Sequence, residues 1–270
     1  MIPLCEKNIK GLHMKKLIDK GLNFLKTHTY LNFLESNENW LVKIGLWSIY
    51  FIIPILLLII GIKFGLNVGY VLCAVFGCFV LGYIADKMLE YVKPTIANAE
   101  TKMVNGSLLD VLSVIIGLVG IVFFGVSIYR AVDFEDFSFF IAGLFVWWAC
   151  EYCLAMLLSP EKTLNVHITE KAGPAETFIG ITSLIMKALY RLVPVAFGSL
   201  MIWGVLYLIG ILFENQMFLF QVYNAVYPIC WGVMLPLCAY LTFLAYYFVL
   251  DVFVAFFKMA EAIVNKNKTK

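Results

Sequence analysis

One acidic side chain, Glu151, lies inside a long apolar segment that runs from Ser138 to Leu158. At 1.5 Å of helix rise per residue, Glu151 would lie about 10 Å from the end of that segment. A lone carboxylate placed this way in a bilayer costs about 2.5–3.5 kcal/mol. We therefore expect the Glu151 carboxyl to be protonated, to be paired with a cation, or to face water.

Other charged residues approach the same end of the apolar segments: Asp110, Lys187, Arg191 and Asp251. Together with Glu151 they predict a cytoplasm-facing polar site for an ion, a proton or a small anion. The alternative is structural: an interhelical ion pair, such as Glu151 with Arg191, that holds the helices together. For Asp110 and Asp251 we favour the structural interpretation, because both lie close enough to a segment end to meet water.

Two cysteines, Cys150 and Cys153, are three residues apart and would occupy neighbouring positions on one helix face. Thiolates at this spacing suit a copper or zinc ion. The three histidines, however, all lie outside the apolar segments and supply no further ligand there. We therefore interpret both cysteines as buried apolar residues, and we expect no metal ion and no cofactor.

No enzymatic motif accompanies these residues. The sequence contains no HExxH zinc motif, no GxSxG nucleophile motif and no Walker A motif. We expect no catalytic residues. An intramembrane enzyme that uses Glu151 with Cys150 or Cys153 remains the third alternative for the function.

The composition indicates an all-α integral membrane protein. Apolar residues make up 62% of the 270 residues and charged residues 14%, against roughly 45–50% and about 25% in soluble domains. A bilayer-spanning helix needs about 20 apolar residues. Six such segments are predicted: Ile44–Ile62, Asn67–Ile84, Ser107–Tyr129, Ser138–Leu158, Pro194–Phe213 and Trp231–Val254.

The last third of the chain is ambiguous, because Met217–Leu250 carries no charge and is long for one span but short for two. Gln221, Asn224 and Pro228 interrupt its first half. We interpret Met217–Tyr227 as a short interfacial or re-entrant piece that leads into one long helix. Two spans here would place the basic C-terminal tail outside, against the charge bias of the other loops.

That bias orients the chain. Eighteen of the 20 Lys and Arg residues fall on one side of the six segments, and only Lys63 and Arg130 fall on the other. The positive-inside rule then places both termini in the cytoplasm, in the plasma or inner membrane, with three helical hairpins. We expect an N-terminal cytoplasmic segment (1–42), a six-span membrane domain (43–258) and a polar cytoplasmic tail (259–270).

Two further segments have the pattern of amphipathic helices. His13–Lys26 places Leu and Phe opposite a basic face, which suits a helix lying on an anionic inner leaflet. In Phe178–Val193, one face carries Ser183, Lys187 and Arg191 at intervals of four. This second helix would either lie in the headgroup plane or form the end of the fifth span, with its cations facing the other helices.

The residues favour a transport or translocation component of a membrane, because charge collects at one end and no enzymatic motif is present. The alternative is a structural or assembly subunit of a membrane protein complex. The expected partners are the lipid bilayer with its anionic inner leaflet, and other membrane proteins or a second copy of the chain. Nucleic acid is excluded. A polar cavity would favour transport, whereas a solid interior with Glu151 sealed against Arg191 would favour a structural role.

Overall fold

The computed structural model describes residues 20, 30–99, 101–103, 106–135, 137–168, 174–213 and 219–268. These residues are almost entirely helical. The elements in chain order are α1 (Tyr30–Trp47), a π-helical turn (Ser48–Ile52), α2 (Ile53–Lys63), α3 (Val68–Asn98), β1 (Thr101–Met103), α4 (Gly106–Asp133), α5 (Phe137–Leu158), α6 (Pro160–Leu164), β2 (Val166–Ile168), α7 (Pro174–Arg191), α8 (Val193–Phe213) and α9 (Leu219–Lys268).

Within the described residues, six helices are long and apolar enough to cross a membrane. This confirms the number of apolar segments predicted from the sequence. They run longer than predicted, as Glu35–Lys63, Val68–Asn98, Leu108–Asp133, Phe137–Leu158, Thr177–Phe213 and Asn224–Phe256. The extra turns carry polar residues that hydropathy alone does not assign to a helix.

The first of these helices contains the π-helical turn, directly before Pro54. Proline has no backbone N–H, and its ring collides with the carbonyl four residues earlier in a regular α-helix. A π-helical turn widens the backbone locally and is a common way to absorb an irregular position. The chain therefore continues from α1 into α2 as one helix across Pro54.

Helix α8 lies against α1 through small residues. A Cβ built on Gly198 would lie 2.6 Å from the carbonyl oxygen of Leu41, and one built on Gly45 would lie 2.7 Å from the Phe197 ring. The two backbones thus approach more closely than larger side chains would permit. Phe197 itself is fully buried in the core that the π-helical turn, α2, α3, α8 and α9 share.

Helices α4 and α5 pack on each other, and α4 is the least buried of the six long helices. The rings of Phe124 and Trp147 stack with centroids 5.3 Å apart. Gly120 of α4 lies directly against Cys150 of α5. Only 11% of the most apolar window of α4 is buried, against 44% for the first long helix.

The structure corrects the interpretation of Met217–Tyr227. Residues 214–218 lie outside the described part, and from Leu219 the chain is one continuous helix that includes Pro228 and Pro236. Ala225 and Ile229 are buried on α8, where Ile229 packs on Gly204. This packing stabilises a regular helix where polar residues and proline had indicated an interruption.

The two expected amphipathic helices have different outcomes. His13–Lys26 lies outside the described residues, apart from residue 20. The second is part of α7, and its Ser183, Lys187 and Arg191 are all buried. The cationic face therefore points into the protein, as expected if the segment is the end of the fifth long helix.

A short parallel pair of strands is an addition to the all-α expectation. β1 follows α3 and β2 follows α6, and the two pair with Thr101 opposite Val166. We call the end of the molecule that carries β1, β2 and α6 the strand end. The buried ion pair described next lies there.

Candidate functional site

A buried ion pair lies at the strand end. The Nη2 atom of Arg191 is 3.2 Å from Oε2 of Glu38 and 3.4 Å from Oε1 of Glu35. Arg191 is 4% exposed and Glu38 is 2% exposed, so both charges have lost most of their hydration. Such a pair is retained only when the geometry and further hydrogen bonds compensate the cost of desolvation.

Glu38 receives those further donors from two other helices. The phenol O–H of Tyr152, itself buried, donates to the same Oε2 atom that faces Arg191. Nζ of Lys93 lies 3.6 Å from Oε1 of Glu38. One carboxylate of α1 thus joins α3, α5 and α7, which fixes the relative positions of four helices at this end.

Lys187 lies one turn before Arg191 and is completely buried. Its ammonium group donates to the carbonyl oxygen of Ala99, and to that of Asn165 at 3.2 Å. Asn165 is left-handed, with φ of 49°, and its side-chain amide donates to the carbonyl of Ala97 at 2.7 Å. Lys187 therefore ties the chain before β1 to the chain before β2, because both segments aim carbonyl oxygens at it.

A polar cavity of about 360 Å³ adjoins this ion pair. We call it the Arg191 pocket. It is lined by charged side chains of both signs and by a few neutral ones: Glu35, Lys93, Ile96, Ala97, Glu161, Lys162, Thr163, Asn165 and Arg191. Its walls come from α1, α3, α6, α7 and the residue before β2. The arrangement can hold a polar or charged group beside a desolvated guanidinium.

Two atoms of that guanidinium are left over. In the described part of the chain, Nε and Nη1 of Arg191 are buried and have no hydrogen-bond acceptor. Buried donors in native proteins nearly always have a partner, whether protein, water or an ion. The guanidinium is therefore only partly satisfied by Glu35 and Glu38.

Of the predicted site residues, the structure brings Lys187 and Arg191 together. Glu151 is half-buried on α5 and makes no ion pair with the described residues. Asp110 is half-buried in α4 and Asp251 is exposed on α9, and neither lines the Arg191 pocket.

The pairing of Arg191 with Glu151, which was the structural alternative, is replaced by pairs of Arg191 with Glu38 and Glu35. Successive helical residues point about 100° apart. On α5 it is Tyr152, not Glu151, that faces inward and reaches this cluster.

The two weak metal candidates are both free thiols. Cys150 packs against Gly120 of α4, and Cys153 adjoins the buried cluster around Tyr152 and Leu184. Among the described residues there is no group of three or more His, Cys, Asp or Glu side chains that could hold a metal ion.

Sequence reasoning missed Glu38 and Tyr152. Glu38 lies before Lys43, in a segment assigned to the polar N-terminal region. A signal was nevertheless present, because Glu38, Leu41, Gly45 and Ile49 recur at the spacing of one helix face. All four are buried in the structure. Extending that face toward the N-terminus would have placed Glu38 on the protein interior.

A second cavity of about 590 Å³ lies between α5, α8 and α9. Its lining is mainly aromatic and includes Trp203, Tyr207 and Trp231, with Ser199 and Asn224 as polar members. Along the α7–α8 chain, Ser199 is eight residues beyond Arg191, which corresponds to about 12 Å of helix. Buried Val195 and Phe197 occupy the turns between the two cavities.

No family model, no curated protein and no solved structure matches this chain.

Proposed function

We propose that this chain is a multi-pass membrane protein that acts as a transport or translocation component, and that the Arg191 pocket is its cytoplasm-facing polar site. The observation that carries the proposal is the pocket itself. Charged side chains from α1, α3, α6 and α7 line one cavity beside a guanidinium that is almost fully buried. A purely structural ion pair needs no adjoining polar cavity.

The orientation follows from charge. Eighteen of the 20 basic residues lie in the two terminal regions or in the connecting segments Asp86–Gly106 and Ser159–Val193, so the positive-inside rule places these parts in the cytoplasm. The six long helices then form three hairpins in the plasma or inner membrane, with both termini inside. The Arg191 pocket opens on the side where a solute or a segment of another protein would be collected or released.

The second, aromatic cavity supports a transport role. It lies along α8, and the buried apolar side chains of Val195 and Phe197 separate it from the Arg191 pocket. Two cavities on either side of a closed segment are what a carrier needs if access alternates between the two faces. In this arrangement the Glu38–Arg191 pair would hold the helices together at the cytoplasmic end.

The test is solid-supported membrane electrophysiology on purified, reconstituted protein. Concentration jumps of protons, chloride, acetate, phosphate and amino acids should identify at least one solute that produces a protein-dependent current. Lys162→Gln, at the pocket, should reduce that current, whereas Lys87→Gln should not. Lys87 is the matched control because it is an exposed lysine of α3, paired with Glu90 and absent from the pocket lining. The absence of a protein-dependent current for every solute tested would contradict small-solute transport.

Orientation can be tested independently in intact cells. A cysteine added next to Asp136 should react with a membrane-impermeant maleimide, and one added next to Lys268 should react only after permeabilisation. The opposite accessibility would reverse the assignment of the Arg191 pocket to the cytoplasm and remove the basis of the proposal.

One observation favours the alternative of a structural or assembly subunit. Most of α4 is uncovered, with Ile115, Leu118 and Val122 exposed along it. Lipid or a helix of another protein would cover this face in a membrane. A photo-crosslinking residue at position 118 that captures one protein stoichiometrically, in a chain that produces no solute current, would favour the assembly role.

A further inference from the structure

The polar atoms that lack a partner beside the Arg191 pocket are hydrogen-bond donors. The Nη2 atom of Arg191 serves both Glu35 and Glu38, while Nε and Nη1 are buried without an acceptor in the described part. The desolvation of an N–H donor is compensated only when an acceptor reaches it. The guanidinium therefore favours an additional acceptor.

The carboxylates at the pocket do not need an additional hydrogen-bond donor. Among the described residues, no buried carboxylate oxygen lacks a hydrogen-bond partner. Glu38 is the one fully buried acid of the cluster. It already pairs with Arg191, accepts a hydrogen bond from Tyr152 and lies near Lys93. The unsatisfied groups beside the pocket are thus donors, which favours an anion over a cation as its ligand.

Two lysines from other elements add positive charge to the same cavity. Lys93 of α3 is half-exposed, and its one ion pair in the described part is the 3.6 Å contact with Glu38. Lys162 of α6 is exposed and makes no ion pair within the described residues. Three cationic side chains from three helices therefore line one pocket.

We propose that the Arg191 pocket binds a phosphate group. A terminal phosphate has three strong acceptor oxygens, which match three cationic donors arriving from different directions, and both Arg and Lys are common phosphate ligands. The phosphate can belong to a soluble ion or ester, or to the head group of an anionic lipid. This inference rests on the proposed function, for which it names the class of ligand.

The acids at the pocket set the strength of binding. Glu35 and Glu161 line the cavity, and Glu38 lies against Arg191 and Lys93, so three acids balance the three cationic side chains. We therefore expect inorganic phosphate to bind weakly, which suits release during a transport cycle. A ligand that also carries an ammonium group would gain from the two acids that line the cavity.

The experiment measures thermal unfolding of the full chain in phosphatidylcholine nanodiscs, titrated with inorganic phosphate at constant ionic strength set by chloride. A ligand that binds only the folded state raises Tm in a saturable way. We expect the half-maximal phosphate concentration to rise about tenfold in Lys162→Gln and in Lys93→Gln, as one charge-assisted hydrogen bond is lost in each. Lys87→Gln should behave as the unsubstituted chain.

A parallel arm uses nanodiscs that contain phosphatidic acid, whose head group is a terminal phosphate. If free phosphate has no effect but phosphatidic acid raises Tm, and Lys162→Gln removes that rise, the ligand is a lipid head group. If free phosphate raises Tm in nanodiscs that contain only phosphatidylcholine, the ligand is a soluble phosphate. A Tm unaffected by both, or affected equally in Lys87→Gln and Lys162→Gln, overturns the inference.

These outcomes are independent of transport. Saturable phosphate binding without any solute current would keep the phosphate site and contradict the carrier. A current for another solute, with no effect of free phosphate or of phosphatidic acid on Tm, would keep the carrier and contradict the phosphate site.

Discussion

Arg191 at the end of α7 and Glu38 in the third turn of α1 form an ion pair of 3.2 Å, in which both residues are almost fully buried. The same Glu38 oxygen accepts the hydrogen bond of Tyr152 from α5. The apolar surroundings strengthen the attraction, but they also make either charge costly once its partner is gone. The stability of the strand end should therefore depend on the pair as a unit.

Arg191→Met should lower the free energy of unfolding by about 3–5 kcal/mol, because it leaves the Glu38 carboxylate buried without its main counter-charge. Adding Glu38→Leu to this variant should recover part of the loss, since it removes the unpaired carboxylate but leaves the buried Tyr152 hydroxyl without its acceptor. The four proteins form a double-mutant cycle measured by reversible unfolding in detergent. Additive effects of the two substitutions would mean that the residues do not interact.

Tyr152→Phe tests the second donor to Glu38. It removes one hydroxyl and leaves the ring packed, so we expect a loss of about 1.5–3 kcal/mol, the range for a hydrogen bond to a charged group. Tyr129→Phe, on the exposed side of α4, is the matched control and should change stability by less than about 0.5 kcal/mol. Equal effects of the two substitutions would argue against the hydrogen bond.

Glu151→Gln distinguishes the predicted site residue from the observed one. Glu151 is half-buried and makes no ion pair in the described part, so its amide should change the stability by no more than about 0.5 kcal/mol. Glu38→Gln, in contrast, removes the carboxylate that Arg191 and Lys93 share. If Glu151→Gln is the more destabilising of the two in thermal unfolding, the pairing of Arg191 with Glu38 is wrong.

The contrast between Glu151 and Glu38 also shows which parts of the fold and of the site can be predicted from the sequence alone. Hydropathy predicts the six long helices because a bilayer-spanning helix needs a run of about 20 mainly apolar residues, which is visible in the sequence. The spacing of Lys187 and Arg191 predicts a shared helix face, which is a local property. The partners of that face come from α1 and α5, and a local pattern does not specify which helices meet.

The strand pair shows the same limit more sharply. β1 and β2 have three residues each, and the side-chain amide of Asn165 hydrogen-bonds to the chain before β1. Neither segment is long enough for an alternating pattern, and their pairing depends on contacts between distant parts of the chain. The buried Lys187 at this junction looked in sequence like one more residue of a polar helix face.

A last prediction concerns the close contact of α8 with α1. Gly198→Ala would place its Cβ 2.6 Å from the Leu41 carbonyl oxygen, closer than real Cβ atoms approach a neighbour. Because backbone rather than a flexible side chain is in the way, the helices must separate, which should cost about 1–3 kcal/mol. Gly210→Ala, on the same helix with no neighbour within 4 Å, should instead be neutral or stabilise by up to about 1 kcal/mol through helix propensity. Both variants are measured by thermal unfolding.

Because the contact with Leu41 lies one turn from Glu38, Gly198→Ala should also weaken the coupling between Glu38 and Arg191 in the double-mutant cycle. An unchanged coupling would show that the two contacts are independent.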